Sequence, residues 1–277
     1  MLKFDENLAY ILGVYLGDGN INIWPRKQWG GVQVLFRLQV KDKDFADEVE
    51  RRLKLIVPNK VWRKEYDRMC EGFKKSTHMH LLHCCSRELV FWLRDTTDSK
   101  KKVPSFLFKT TIEEKKAFLA GFLDSDGWVQ KQVRQSGTSI VVGFCSTSDW
   151  IDSIARLFQT IGVPHGKKQL SHGPSDGVIK SKKNLYRFYL KTKPFLERGC
   201  YFTIARKQER LRDYNVMAEK IEEREKKFVE YKKKYSTGSL SYRKIEKEFG
   251  ISRETARYWD KKIENKEPLF LKYRLKG

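Results

Sequence analysis

Acidic residues are scarce in this chain. Its 277 residues include 35 Asp and Glu against 57 Lys and Arg, a formal charge of +22 and a pI of about 9.7. A deficit of that size points to a polyanionic partner, most often nucleic acid. The alternative is a charge-rich chain in which Lys and Glu serve stability. The excess is spread as +7, +6 and +9 over residues 1–110, 111–200 and 201–277, which suggests an extended contact surface rather than one basic arm. Cysteines are also few. Cys70, Cys84, Cys85, Cys145 and Cys200 are odd in number, include an adjacent pair and lack zinc-ligand spacing. They read as reduced, buried thiols in a reducing compartment, not as a disulfide framework or a zinc finger. No apolar run reaches the ~18 residues of a membrane span. Asp5 and Glu6 precede the first apolar run and no small-residue cleavage site follows, so neither an anchor nor a signal peptide is expected, and a cytoplasmic location is. HMHLLH offers His78, His80 and His83, but a strand places the first two on one face and the third on the other, which makes a functional metal there an unfavoured reading.

What the chain does have is a repeat. AYILGVYLGDGNI (residues 9–21) and AFLAGFLDSDGWV (117–129) are apolar stretches with small residues four apart, each ending in Asp-Gly, and Asp18 and Asp126 lie 108 residues apart. The first reads as a helix over 7–18. NINIW and VQVLFRLQV follow as a hairpin, with Val32, Val34, Phe36, Leu38 and Val40 on one face and Gln33, Leu35, Arg37, Gln39 and Lys41 on the other. DKDFADEVERRLKLIV is an amphipathic helix with Phe45, Val49, Leu53 and Ile56 in register. A second hairpin, a short helix and a linker containing Pro104 lead to the second copy. There a helix from Glu113 to Ser125, a hairpin, a helix capped by Ser148 or Asp149, another hairpin with a basic tip at 171–183 and a short helix repeat the αββαββα order. Residues 203–235 read as a charged helix with a stripe of Leu211, Tyr214, Ala218, Ile221 and Phe228. The segment from Ser239 to Ile263 reads as helix, turn at Gly250, and a second helix capped by Ser252, with Leu240, Ile245, Phe249, Ile251, Ala256 and Ile263 as its core. This is a helix-turn-helix pattern, or a plain αα-hairpin; Arg253, Arg257 and Lys261 on the second helix favour DNA binding. The expected division is 1–110, 111–215, a connecting helix 216–235 and a tail 236–277.

Residues four apart share a helix face, so Gly13 and Gly17 lie together, as do Gly121 and Ser125. A mid-helix glycine costs about 1 kcal/mol relative to alanine and needs a packing reason. Two such faces let two helix backbones approach closely around a pseudo-twofold axis, which brings Asp18 and Asp126 to one end. Close carboxylates need a cation, or one takes a proton. Hard oxygen ligands favour Mg²⁺, and divalent ions beside a basic sheet suit phosphodiester hydrolysis. A single Asp-Gly after an apolar helix is often only a C-terminal turn; two copies, each followed by an alternating hairpin, are harder to read that way.

ILGVYLGDG and LAGFLDSDG resemble the signature of the LAGLIDADG homing endonucleases; the first is looser, with Leu16 where the signature has its earlier Asp. The resemblance covers roughly residues 5–215 and implies an α+β fold, a duplicated αββαββα unit with two saddle-shaped antiparallel sheets, here followed by a small all-α tail. It implies a monomeric, site-specific double-strand DNA endonuclease that cuts across the minor groove, with Mg²⁺ (two or more ions; Ca²⁺ or Mn²⁺ as substitutes) held by Asp18 and Asp126 and the carbonyls of Gly17 and Ser125. Assisting cations are expected at Lys41, with Lys109 another choice in the first half, and at Lys207, with Lys131 or Arg206 as other choices in the second. Asn20, Asn22, Trp24, Arg26, Gln33, Arg37, Gln39, Arg63 and Glu65 are expected to read bases in one half, and Gln130, Gln132, Arg134 and Arg187 in the other. SIVVGFC is poor in polar groups, so the second half-site is expected to be read more loosely. Two rivals remain: a non-catalytic transcription regulator that combines a LAGLIDADG-like domain with a helix-turn-helix, for which retention of both acids has no reason, and an RNA-binding intron maturase. An intein is disfavoured by Met1 and by the Lys276-Gly277 end.

Overall fold

The computed structural model describes residues 2–25, 31–58, 60–69, 76–134, 137–173, 183–214, 223, 226, 229–230, 242–249 and 252–265. They form two units. One comprises residues 1–129 and 141–208, the other residues 130–140 and 209–277. Arg26, Cys70, most of the basic tip at 171–183, Gly250, and nearly all of the connecting helix 216–235 lie outside the described residues.

In the first unit, α1 (Glu6–Leu16) begins at Asp5, whose carboxylate accepts the Leu8 N–H at 2.9 Å, an N-cap that occupies one orphan amide. The helix ends two residues before Asp18, short of the expected 7–18, because Gly17 leaves helical geometry and Gly19 turns back to donate to the Val14 carbonyl at 2.8 Å. Strands β1 (Asn20–Pro25) and β2 (Val32–Val40) form the first hairpin, α2 (Lys43–Ile56) follows, and β3 (Val61–Met69) and β4 (Ser76–Cys84) complete an antiparallel sheet ordered β1-β2-β4-β3. Val34, Phe36 and Leu38 point toward α2, which buries Phe45, Ala46, Val49 and Leu53. After α3 (Arg87–Thr97) and a short 3-10 turn at Ser105–Lys109 the order repeats.

Helix α4 (Ile112–Asp126) starts with a reciprocal capping box between Thr111 and Glu114 and runs through Asp126 itself. Strands β5 (Gly127–Arg134), β6 (Gly137–Ser146), β7 (Gln169–His172) and β8 (Leu185–Leu190) form a second antiparallel sheet ordered β5-β6-β8-β7, with α5 (Ile151–Thr160) and α6 (Thr192–Glu197) in the same places as α2 and α3. Trp150, not Ser148 or Asp149, stands at the cap position of α5, because Ser148 instead receives the Ile151 amide through its carbonyl. Phe144 stacks between Phe158 and Phe188 at 5.6 and 5.5 Å and meets Phe122 edge-on at 5.8 Å. Each such fully buried aromatic contributes roughly 2–3 kcal/mol of apolar burial.

In the second unit, α7 (Tyr242–Phe249) and α8 (Arg253–Glu264) pack together, with Ala256 and Trp259 buried on α8. Ser252 caps α8 by accepting the Thr255 N–H at 3.2 Å, as its sequence predicts. No helix among the described residues is long and apolar enough to cross a membrane.

Candidate active site

The small residues of α1 and α4 place two backbones in direct contact. A Cβ on Gly13 would stand 2.0 Å from the Phe118 carbonyl oxygen, and one on Gly121 would stand 2.2 Å from that of Tyr10. At the ends of the two helices a Cβ on Gly17 would meet the Ser125 Cβ at 2.3 Å and lie 3.6 Å from Asp126 Oδ2. The motif tips therefore meet, as the repeat predicts. Asp18 is exposed and Asp126 half-buried. Burial, then the Asp18 charge, pushes the Asp126 carboxyl up to about 7, against the pull of Lys100 and Lys207. Asp18 is also raised: the protein mass around its carboxylate outweighs the pull of Lys207 and Lys100, and Asp42 adds to the rise. Two carboxylates that resist joint ionisation, both open to solvent, fit a divalent cation with oxygen ligands.

Two lysines attend this pair, one at each helix end. Lys207 Nζ donates to the carbonyls of Leu123 and Asp124 at 2.9 and 2.7 Å. Lys100 Nζ donates to the Gly17 carbonyl at 2.8 Å. Each cation thus meets the negative end of a helix dipole, and burial lowers both lysines to about 8. Lys207 was expected; Lys100 was not. Lys41, Lys109 and Lys131 stand exposed, and the cations acting on the acids are Lys100 and Lys207 instead. Arg206 is engaged elsewhere, forking onto Asp42 at 2.6 and 2.9 Å. Ser125 is half-buried and its hydroxyl donates to the Gly121 carbonyl at 3.2 Å. The Gly17 carbonyl, an expected metal ligand, is the one Lys100 holds.

Local strain and a buried network position the lysines. Asp98, Ser99 and Lys100 are consecutive left-handed residues with φ of 48°, 55° and 69°. The turn is held by the Ser99 amide on the Arg94 carbonyl at 2.8 Å, the Lys100 amide on Thr97 Oγ1 at 3.1 Å, and Trp150 Nε1 on the Lys100 carbonyl at 2.7 Å. Nothing in the sequence distinguishes Lys100 from Lys101 and Lys102; only the turn selects it. Lys207 is placed by Asp124, the earlier acid of the second motif. Its buried carboxylate accepts the Tyr10 hydroxyl at 2.7 Å, the Thr203 amide at 3.0 Å and the Thr203 hydroxyl at 2.6 Å, which pins the segment leading to Lys207 against α4. The first motif has buried Leu16 at that place and no such network.

The sheet faces opposite the helices carry most of the expected base-reading residues. Asn20, Asn22 and Trp24 are exposed on β1 and pair with Arg37, Leu35 and Gln33 of β2. Trp24 Nε1 donates to Gln33 at 3.1 Å and Arg37 to Gln39 at 3.0 Å. Arg63 and Glu65 are a correction. They pair with Leu82 and His80, so they stand on the helix side, where Arg63 binds Asp47 of α2. Both faces of β3 are polar, so alternation alone leaves its parity undetermined, and the register with β4 decides it. The β3 residues on the open face are Trp62, Lys64, Tyr66 and Arg68. Beside them His83 meets Trp62 edge-on at 3.9 Å, and both its ring nitrogens are buried without a hydrogen-bond partner. In the second sheet Arg187 pairs with Cys145 and its Nε is likewise buried and unpartnered, with the guanidinium 5.4 Å from the Tyr189 ring. Gln130 is exposed and Gln132 half-buried on β5; the side chain of Arg134 lies outside the described set. On α8, Arg253, Arg257 and Lys261 are all exposed, with Arg253 paired to Glu246 at 2.9 Å and Arg257 over the Tyr242 ring at 5.3 Å. Trp259, not foreseen, supplies core on this helix, while Leu240 and Ile251 and the side chains of Ile245 and Phe249 lie outside the described set.

A family model described as "Homing endonuclease" matches residues 102–197. Two uncharacterised proteins of Methanocaldococcus jannaschii are similar to this chain. One is 34% identical over 128 residues, covering 46% of this chain and 41% of its own length; the other is 29% identical over 166 residues, covering 59% and 57%. The chain thus matches only about two fifths to three fifths of the length of these relatives. Among solved structures, the homing endonuclease I-WcaI bound to its DNA recognition sequence superposes with a TM-score of 0.50 at 12% identity, over 76% of this chain and 88% of that one. The α+β architecture with two four-stranded antiparallel sheets is the fold this chain shares with that homing endonuclease.

Proposed function

We propose that this protein is a site-specific double-strand DNA endonuclease that acts as a monomer and uses a divalent metal, with Mg²⁺ as the expected ion. The observation that carries the reading is the meeting of Asp18 and Asp126 at the tips of two glycine-packed helices, each helix end holding a lysine. Asp18 and Asp126 would hold the metal, which when bound supplies an activated water and charge neutralisation at the leaving oxygen. The lysines, lowered to about 8, stabilise charge on the scissile phosphates and exchange protons near neutral pH. The open sheet faces supply base readout: Asn20, Asn22, Gln33, Arg37 and Gln39, with Trp62, Lys64, Tyr66 and Arg68 taking the place first assigned to Arg63 and Glu65. Buried unpartnered nitrogens on His83 and Arg187 support an incoming partner at these faces, since such groups are costly when left unsatisfied. The α7–α8 pair, with Arg253, Arg257 and Lys261 outward, supports a second DNA-binding element.

The test is incubation with a randomised DNA library and Mg²⁺, followed by sequencing of cut ends. Asp18→Asn and Asp126→Asn are expected to retain target binding and lose cleavage. Cleavage of both strands at the parental rate by either variant would reject the site. Binding without any cleavage by the parent would favour the regulator reading, and selective retention of RNA would favour the maturase.

A further inference from the structure

Away from the motif helices, β3 and β4 bring Glu65, His78 and His80 together on the α2 side of the first sheet. Glu65 pairs with His80 across the ladder and Asp67 with His78, so all four stand on one face. One nitrogen of each imidazole and a Glu65 carboxylate oxygen lie within 4.8 Å of one another. The geometry points to a transition-metal site here, one that takes Zn²⁺ or a similar borderline ion and is separate from the Asp18–Asp126 pair.

Three observations support it. First, the ligand types are right: two imidazoles and a carboxylate suit Zn²⁺, Co²⁺ or Ni²⁺, whereas Mg²⁺ prefers oxygen alone. Second, His78 is already oriented as a ligand. Its Nδ1 is 2.9 Å from Asp67 Oδ1, which directs Nε2 toward Glu65 Oε2 at 3.5 Å. A histidine whose second nitrogen binds a carboxylate is the usual arrangement behind a metal-bound imidazole. His80 is 3% exposed, with Nδ1 3.0 Å from Glu65 Oε1. A tetrahedral zinc with bonds of about 2.0–2.1 Å holds its ligands about 3.3 Å apart, so small side-chain rotations close the set. Third, the surroundings are acidic in a strongly basic protein. Asp47, Glu50 and Glu65 gather around the Arg63 guanidinium, and Asp67 stands beside His78.

Arg63 is the competitor. Its Nη2 lies 2.6 Å from His80 Nδ1 and 3.0 Å from Glu65 Oε1, the place an ion would take. Asp47 and Glu50 already hold Nη1 on the other side, so the guanidinium has somewhere to go. A bound ion would join the two strands of a hairpin whose opposite face carries Trp62, Lys64, Tyr66 and Arg68, and would fix the hairpin's twist before any ligand arrives.

The test uses the full chain carrying Asp18→Asn and Asp126→Asn, which silences the oxygen-only pair. One equivalent of Co²⁺ is expected to give visible ligand-field bands of mixed nitrogen and oxygen coordination, displaced by Zn²⁺ and lost in His78→Ala and in Glu65→Gln. Arg63→Gln is expected to strengthen binding, and Zn²⁺ to raise the Tm of the parent but not of His78→Ala, with far-UV circular dichroism confirming that each variant folds. No bands at excess Co²⁺, or bands unchanged by both ligand variants, would overturn the site. Neither outcome bears on DNA cleavage, which is read separately in the protein with both aspartates intact.

Discussion

Asp126 is the residue whose chemistry is most altered by its surroundings. Its pKa near 7 lies well above the ordinary carboxylate value near 4, because it is half-buried and faces the Asp18 charge. Below pH 4 the carboxyl is protonated whether the chain is folded or not. Between pH 4 and pH 7 the unfolded chain releases this proton and the folded one keeps it, so stability falls as pH rises, and above 7 the penalty is constant. In EDTA, Asp126→Asn is therefore expected to melt higher than the parent at pH 8, with the gap closing as the pH approaches 4. Added Mg²⁺ should raise the parent's Tm at pH 8 and not that of the variant, and the ion's apparent affinity should weaken as protons compete below pH 7. Asp124 tests the other half of the site. Asp124→Leu, which copies Leu16 of the first motif, strands the Thr203 amide and leaves the Tyr10 and Thr203 hydroxyls only each other as partners, and is expected to cost about 2–3 kcal/mol in urea unfolding. Asp124→Asn should cost less, and both should slow cleavage with little change in DNA affinity by releasing the segment that carries Lys207. Thiol reactivity gives an independent residue-scale check. Burial pushes Cys84 up to about 11 and Cys200 to about 12, whereas Cys85 is exposed, contrary to the expectation that all the thiols are buried. Among the described cysteines an alkylating reagent at pH 7.5 is expected to label Cys85 first, as peptide mapping would show.

At the scale of elements, the motif helices and the Lys100 turn have opposite requirements. Gly13→Ala places a methyl on the Phe118 carbonyl, a backbone atom that cannot step aside, so the helices must separate. A loss of more than about 3 kcal/mol is expected, at or beyond the upper end of ordinary overpacking. The turn after α3 works the other way. Asp98 occupies the left-handed position that ends many helices and that glycine takes without strain. Asp98→Gly is expected to gain about 0.5–1 kcal/mol, while Lys100→Met should leave folding and DNA binding intact and lower the cleavage rate roughly 10²–10³-fold. Equal cleavage by Lys100→Met would remove this lysine from the site. The β3 strand shows why sequence patterning stops short at this scale. In β2 one face is uniformly apolar, so Val34, Phe36 and Leu38 declare which residues turn outward. In β3 the alternation runs between two polar sets, and only pairing with the unambiguous Leu82 and Cys84 of β4 settles that Trp62 and Lys64 face outward while Arg63 and Glu65 face α2.

For the whole molecule, the duplication sets up near-symmetry and the side chains break it. Each repeat contributes an acid and a lysine at its helix end, but Lys100 comes from a strained turn after α3 and Lys207 from a segment pinned by Asp124. The sheets differ as well: the first presents Asn20, Asn22, Gln33, Arg37 and Gln39, while β6 presents Gly143 and Cys145 beside Arg187. A base-by-base substitution profile of the target is expected to be stricter on the half read by the first sheet, and equal strictness on both sides would contradict this. Removing residues 236–277 is expected to weaken binding and leave the cut position unchanged.

The order of elements, the meeting of Asp18 with Asp126, the apolar side of the first hairpin and the capped final helix were all legible in the sequence. Each follows from a local rule: a 3.6-residue or two-residue period, a steric notch, or a capping side chain. What only the tertiary structure decided was which lysine reaches each acid, that Asp124 organises the second half, and which side of β3 faces outward. The first two depend on residues 50 or more positions apart meeting through turns, and the third on a ladder register between strands rather than on the pattern within either one. Local patterns carry no information about such meetings until the chain has closed on itself.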